Sequence, residues 1–263
     1  MEIAVSHIAW SPEEEIKMAK LLPSLGVKAV EIAPGRIAPT IDSFRALWEE
    51  NGVKISSMQA LLFGRDDLVL FDSSEKRRRM LEYLSEIIEK AGEIGATRLV
   101  FGSPKNRRRG EKSRESVLPI AVDFFSSLAD VAKKHGVTIC LEANPKEYGG
   151  DFILTTQEAA ELVKAVNNKG FKLHLDTGGI IINDEDCQSL ICEHSEIIKH
   201  VHISAPFLKP IYEEKIPLHE LISSLRKVNY QGFLSIEMKS LTDNQNQEHV
   251  RRAVQSVTEV LSG

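Results

Sequence analysis

The chain has 263 residues, is 42% hydrophobic and 27% charged, and carries a formal net charge of −5. That is an ordinary globular composition at close to the roughly 250 residues of a single (β/α)8 barrel. The acidic balance argues against a nucleic-acid partner, which needs a basic footprint. No run approaches the ~18 apolar residues that span a bilayer, and the start, MEIAVSHIAWSPEEE, lacks the basic stretch of an export signal. Cys140, Cys187 and Cys192 lack metal-finger spacing and read as reduced thiols of a cytoplasmic protein.

Eight short apolar runs, rich in β-branched residues, recur along the chain and are expected as strands. The first, Ile3–Ser6, is followed by Ser11-Pro12-Glu13-Glu14, an N-cap with proline at the first helical position and acidic residues in the first turn. Ala29–Ala33 and Lys54–Gln59 come next. Ser74 then opens a helix on which Leu81, Leu84, Ile87, Ile88 and Ala91 share one face. Arg98–Gly102 leads into SPKNRRRG, Ser103–Gly110. Thr138–Ala143 leads into NPKEYGGDF and a helix after Thr155 and Thr156. Phe171–Asp176 and His200–Ser204 follow, then a helix after Pro217, then Phe233–Met238. Gly26, Gly52, Gly95, Gly136, Gly170 and Gly232 precede strands, where the left-handed position closing a helix favours glycine. Strands alternating with helices imply parallel pairing with right-handed crossovers. Eight such units predict an α/β fold, a single (β/α)8 TIM barrel over residues 1–263.

A strand covered on both faces should be almost continuously apolar. The last four break that rule at equivalent places: TICLEAN, FKLHLDTGG, HVHISAP and FLSIEMK. Side chains alternate faces, so Ile139 and Leu141 oppose Glu142, and Leu173 and Leu175 oppose Asp176. In the same way Val201 and Ile203 oppose His202, and Leu234, Ile236 and Met238 oppose Glu237. With the apolar set against the helices, these four polar residues point into the barrel near the C-terminal strand ends, where barrel enzymes keep their active sites. Three carboxylates and an imidazole brought together need a counter-charge. One divalent cation supplies it, Mn2+, Mg2+ or Co2+ fitting three oxygens and a nitrogen better than Zn2+ does. The competing reading, separate buried ion pairs, suits one such residue better than four on neighbouring strands.

With VEIAP, EIGATRLVFGSP, CLEANP, LHLDTGG, HVHIS and NYQGFLSIEMK, the chain resembles the xylose isomerase-like TIM barrels, in particular their sugar-phosphate isomerase and epimerase branch. The resemblance covers nearly the whole chain. It implies that Glu142, Asp176, His202 and Glu237 are metal ligands. It also implies a metal-dependent sugar isomerase or epimerase in which Glu142 and Glu237 move a proton through a metal-stabilised enediolate. Two departures stand out. Gly179 occupies a position where many epimerases of this family carry a substrate-contacting histidine, and Ala205-Pro206 replaces the familiar Asp or Arg after strand seven.

Other positions carry paired readings. Glu31 is either a contact to a substrate hydroxyl or a buried ion-pair partner. His7 and Gln59 are loop packing or substrate contacts, and His174 and His200 support the ligands from below. One of Asn144, Tyr148 and Asp151 lines the pocket. Arg107, Arg108 and Arg109 either grip a phosphate or carboxylate or form a solvated loop or subunit contact. Lys239, ahead of Lys209, is the lysine placed to meet a phosphate. The expected partner is a small sugar-like molecule; a homo-oligomer is compatible with the sequence, and neither nucleic acid nor membrane is expected. A dehydratase of a cyclic polyol or keto acid on the same metal platform is the first alternative. An AP-endonuclease-type phosphodiesterase is disfavoured, since Gln59 and Ser103 stand where that chemistry needs histidines, and a non-catalytic barrel is disfavoured by the intact ligand set.

Overall fold

A computed structural model describes residues 1–37, 40–242 and 245–263. Its strands are β1 (Glu2–Ser6), β2 (Ala29–Ile32), β3 (Lys54–Met58), β4 (Arg98–Phe101), β5 (Thr138–Leu141), β6 (Phe171–Asp176), β7 (Ile198–Ser204) and β8 (Phe233–Glu237). They close into a barrel in sequence order, each parallel to its neighbours, with β8 pairing β1. The helices between them are α1 (Glu15–Ser24), α2 (Ile41–Glu50), α3 (Ser74–Glu93), α4 (Arg114–Lys134), α5 (Thr156–Val166), α6 (Thr177–Ile182), α7 (Cys187–His194) and α8 (Leu218–Lys227), and α9 (Asn246–Ser262) ends the chain. No helix among the described residues is long and apolar enough to cross a membrane.

The local signals work as expected, with small shifts. Ser11 and Glu14 form a reciprocal capping box, but the first turn is a 3-10 turn over Pro12–Glu14 before α1 begins. The cap of α3 is Ser73, which accepts from the Lys76 amide, one residue before the expected Ser74. Gly26, Gly52, Gly95 and Gly136 do adopt positive φ, whereas Gly170 and Gly232 do not. After α5 and α8 the left-handed position falls to Asn167 (φ 46°) and Asn229 (φ 55°). Gly170 is needed for another reason: a Cβ there would sit 2.2 Å from the Ala129 carbonyl oxygen on α4.

Val30, Ile32, Leu99, Phe101, Ile139, Leu141, Leu173, Leu175, Val201, Ile203, Leu234 and Ile236 pack outward against the helices in one continuous core. Inside the barrel, Ala4, Ala29 and Phe233 form a separate apolar floor near the N-terminal strand ends. Barrel interiors are usually filled by branched apolar side chains. Above its floor this one instead buries Ser6, Glu31, His174, His200, His202 and Ser235. Polar groups this deep cost several kcal/mol unless they satisfy one another, so the interior is organised by partnership rather than by packing alone.

Candidate active site

β5 to β8 deliver the polar cluster. Glu142 follows the last residue of β5, Asp176 and Glu237 end β6 and β8, and His202 lies two residues before the end of β7. Donor atoms of Glu142, His174, Asp176 and His202 all lie within 4.8 Å of one another, and Glu237 joins through the 3.1 Å contact of its Oε2 with His202 Nδ1. The structure thus unites the four side chains expected from the sequence and adds His174, whose two ring nitrogens are buried without a hydrogen-bond partner among the described residues. The pairing of β6 with β7 shifts register between Leu173 and His174. The unpaired residue is Lys199 on β7, so His174 keeps the inward side that simple alternation along β6 gives it, opposite His200.

The electrostatics show a site short of positive charge. Burial, then the proximity of Asp176 and Glu237, pushes the Glu142 carboxyl up to about 8. Burial and Glu237 push Asp176 up to about 6, although the Ser204 hydroxyl and the Gly179 amide favour its ionised form. His202 moves the other way. Burial opposes its charge, but Glu31 and Glu237 outweigh burial and hold the ring protonated well above the usual imidazole range. The imidazolium is the cluster's internal counter-ion, and one such charge does not balance the surrounding carboxylates.

Asp176 is tightly framed. Ser204 Oγ donates to Oδ1, the Gly179 amide donates to Oδ2 at 2.8 Å, and the Gly178 amide donates to Ser204 Oγ at 2.9 Å. Asp176 is therefore also the N-cap of α6, and Gly179 holds a ligand through its backbone rather than offering a side chain to substrate. Room for Glu142 comes from Gly102: a Cβ there would lie 2.1 Å from Glu142 Oε2. Gly102→Ala is expected to push this carboxylate out of place and lower kcat at least tenfold with little change in melting temperature. A Gly102→Ala enzyme with wild-type kcat would show that Glu142 need not sit where it does.

The Glu142 loop is clamped to the loop after β4 by Arg107. This guanidinium is fully buried and donates to the Gly102 carbonyl (2.7 Å), Asn144 Oδ1 (2.9 Å), and the Phe152 (3.2 Å) and Ile153 (3.3 Å) carbonyls. Its grip on a phosphate or carboxylate, one of the roles considered from sequence, is not open to a group spent in this way. Asn144 is buried too, and its Oδ1 accepts from Arg107. Arg108 is exposed and donates to the Gly149 carbonyl, while Arg109 donates to the Asp151 and Lys112 carbonyls. Asp151 caps the Arg109 and Gly110 amides, which ties the same two loops together. Of the three loop candidates, Tyr148 reaches over the mouth. Its hydroxyl accepts from the Phe207 amide at 3.1 Å and its ring meets that of Phe207 edge-on. Lys239 is exposed beyond β8, and its amide donates to the Leu208 carbonyl.

Deeper candidates have structural partners. His7 Nε2 accepts from the Ala33 amide at 2.5 Å and the ring packs edge-on against Trp10 and Phe44. Gln59 Nε2 donates to Ser6 Oγ at 2.6 Å. Glu31, wholly buried, meets His200 Nε2 at 2.7 Å and His202 Nε2 at 2.8 Å. Of its two readings the ion pair is what the structure presents. His174 and His200 lie beneath the mouth, both kept neutral chiefly by burial.

Comparison with known proteins agrees with this architecture. Residues 19–259 match the family described as xylose isomerase-like TIM barrel. The chain is 21% identical to 3-dehydro-D-guloside 4-epimerase of Escherichia coli (strain K12) over 244 residues, which are 90% of this chain and 92% of that protein. It is 25% identical to D-psicose 3-epimerase of Agrobacterium fabrum over 116 residues, 44% of this chain and 40% of the other. Its fold superposes with a TM-score of 0.84 on a crystal structure of D-psicose 3-epimerase with D-tagatose from Clostridium cellulolyticum H10, at 16% identity and covering 99% of both chains. With the family matched across most of its length, the chain belongs to the xylose isomerase-like TIM barrels.

Proposed function

We propose that the protein is a divalent-metal-dependent sugar epimerase or isomerase working at the C-terminal mouth of the barrel. The observation that carries this reading is the convergence of Glu142, Asp176, His202 and Glu237, with the Glu142 and Asp176 carboxyls pushed up by burial and then by their neighbours. The donor chemistry fits Mn2+, Co2+ or Mg2+ held by Glu142, Asp176, His202 and Glu237, with His174 Nδ1 or Nε2 close at hand. When bound, such an ion would polarise the carbonyl and neighbouring hydroxyl of a keto-sugar. Glu142, just after β5, and Glu237, at the end of β8, come from the two outer strands of the four that supply the cluster. One removes the proton beside the carbonyl and the other returns it, to the same carbon for epimerisation or the adjacent carbon for isomerisation. The Tyr148–Phe207 contact joins the loops after β5 and β7 beside the cluster. The similarity to two sugar epimerases supports a sugar substrate, and three cysteines without a disulfide among the described residues suit a cytoplasmic enzyme.

The test is a screen of ketoses and keto-glycosides with Mn2+ in deuterated water. Deuterium in recovered sugar with inverted stereochemistry is expected. A new enone chromophore instead would favour the dehydratase, and neither exchange nor elimination in any substrate would refute catalysis of this kind.

Burial and crowding of the carboxyls also predict a pH signature. A group whose pKa is raised in the fold stabilises it fully below its unfolded pKa and progressively less as pH rises through the folded value. For Glu142 that loss runs from the ordinary 4.5 up to about 8, and His202 has the same sign. The buried neutral His174 and His200 oppose it only below about 6.5, where the unfolded chain would protonate them. Between pH 6.5 and 8 the metal-free protein should therefore lose thermal stability. Affinity for Mn2+ should rise over the same interval, about tenfold per pH unit for each proton displaced. Melting curves in a chelator, set beside calorimetric titrations, check both trends.

A further inference from the structure

We propose that Glu31 is a positioning residue: from β2 it holds the Nε2 side of His202, so that Nδ1, beside Glu237, is the nitrogen presented to the metal. This rests on the reading of the site given above.

Glu31 reaches across the barrel interior, and its partners come from β7 and β8. Oε2 meets His200 Nε2 at 2.7 Å, Oε1 lies 2.8 Å from His202 Nε2, and Ser235 Oγ donates to Oε1 at 3.1 Å. Carboxylate and both imidazoles are essentially sealed from solvent. The His202 contact is bent, an ion pair rather than a straight hydrogen bond. On its other side the same ring meets Glu237 Oε2 through Nδ1 at 3.1 Å.

The two sides of the ring are not equivalent. Glu237 lies at the strand end and belongs to the mouth, whereas Glu31 lies on the floor side and has no opening. A neutral imidazole has one N–H and one lone pair. When the ring gives up one proton to bind a metal, the Glu31 carboxylate 2.8 Å from Nε2 favours the remaining proton on that side and so leaves the Nδ1 lone pair facing the cluster. A carboxylate behind a ligating histidine fixes its tautomer and raises its basicity, and losing such a partner typically costs 10–100-fold in metal affinity. His200 and Ser235 in turn fix both Glu31 oxygens, so the chain His200–Glu31–His202 aims a ligand from below without touching substrate. It also explains why a barrel interior normally apolar buries a glutamate at this depth.

Two measurements test the proposal. In wild-type protein loaded with Zn2+, 15N NMR of labelled histidine should show His202 metallated at Nδ1 with a retained, slowly exchanging Nε2 proton. Coordination through Nε2 would overturn the assignment, and this readout does not depend on any variant folding. In calorimetric titration with Mn2+, Glu31→Gln should bind 10–100-fold more weakly while its metal-free circular dichroism stays that of the wild type. Affinity within twofold of wild type would refute the positioning role. Failure of wild-type protein to bind Zn2+ or Mn2+ would instead bring down the reading of the site itself, and this inference with it.

Discussion

Replacing either Glu142 or Glu237 with Gln is expected to cut kcat by about 10²–10⁴-fold, the usual contribution of a positioned general acid or base. The fold should survive both changes. Glu142 already favours its protonated form at neutral pH in the metal-free protein, and the amide is its nearest neutral isostere. Glu237 loses its charge towards His202 Nδ1, but Glu31 still faces the other nitrogen. Because the two come from the outer strands of the four that build the cluster, the variants should fail differently. Each should still exchange, slowly, the one substrate hydrogen that its remaining glutamate can reach. Steady-state rates together with single-turnover deuterium exchange check this; near-wild-type turnover in both variants would remove these residues from the chemistry.

The second large effect concerns stability. Arg107→Ala should cost about 3–5 kcal/mol, the range for breaking a buried charged network. It strands the Gly102, Phe152 and Ile153 carbonyls and Asn144 Oδ1 in the protein interior. For a chain this size roughly 2–4 °C accompanies each kcal/mol, so the melting temperature should fall by roughly 6–20 °C. Arg107→Lys should recover only part, because an ammonium cannot span acceptors that the guanidinium reaches at once. Since Gly102 and Asn144 flank Glu142, activity should drop more than the lost stability alone accounts for. A melt within 2 °C of wild type for Arg107→Ala would show that the loops are held by other contacts, such as Asp151 with Arg109 and Gly110.

Much of this is legible in the sequence. The eight apolar runs match the strands to within two residues, because parallel strands buried on both faces leave a strong pattern. Glu142, Asp176, His202 and Glu237 stood out for the converse reason, as charges interrupting that pattern where outward neighbours stay apolar. The sequence could not show what Arg107 does. An arginine in SPKNRRRG reads as solvated until the loop after β5 folds over it, a contact between segments some 40 residues apart. Glu31 had two readings for a similar reason: its partners arrive from β7 and β8, beyond the reach of local pattern. Gly179 looked like a missing side chain, and its contribution is a backbone amide. His174 shares the inward face of β6 with Asp176 by simple alternation, but that its ring comes within reach of the cluster follows from barrel closure and not from local pattern.

The most direct test of the central claim is elemental analysis after dialysis against Co2+, comparing wild type with Asp176→Asn and His202→Gln. One cobalt per wild-type chain and far less than one in either variant is the predicted result. A wild-type chain that retains no cobalt, or variants that retain as much as wild type, would contradict the claim that these strand ends grip a single ion.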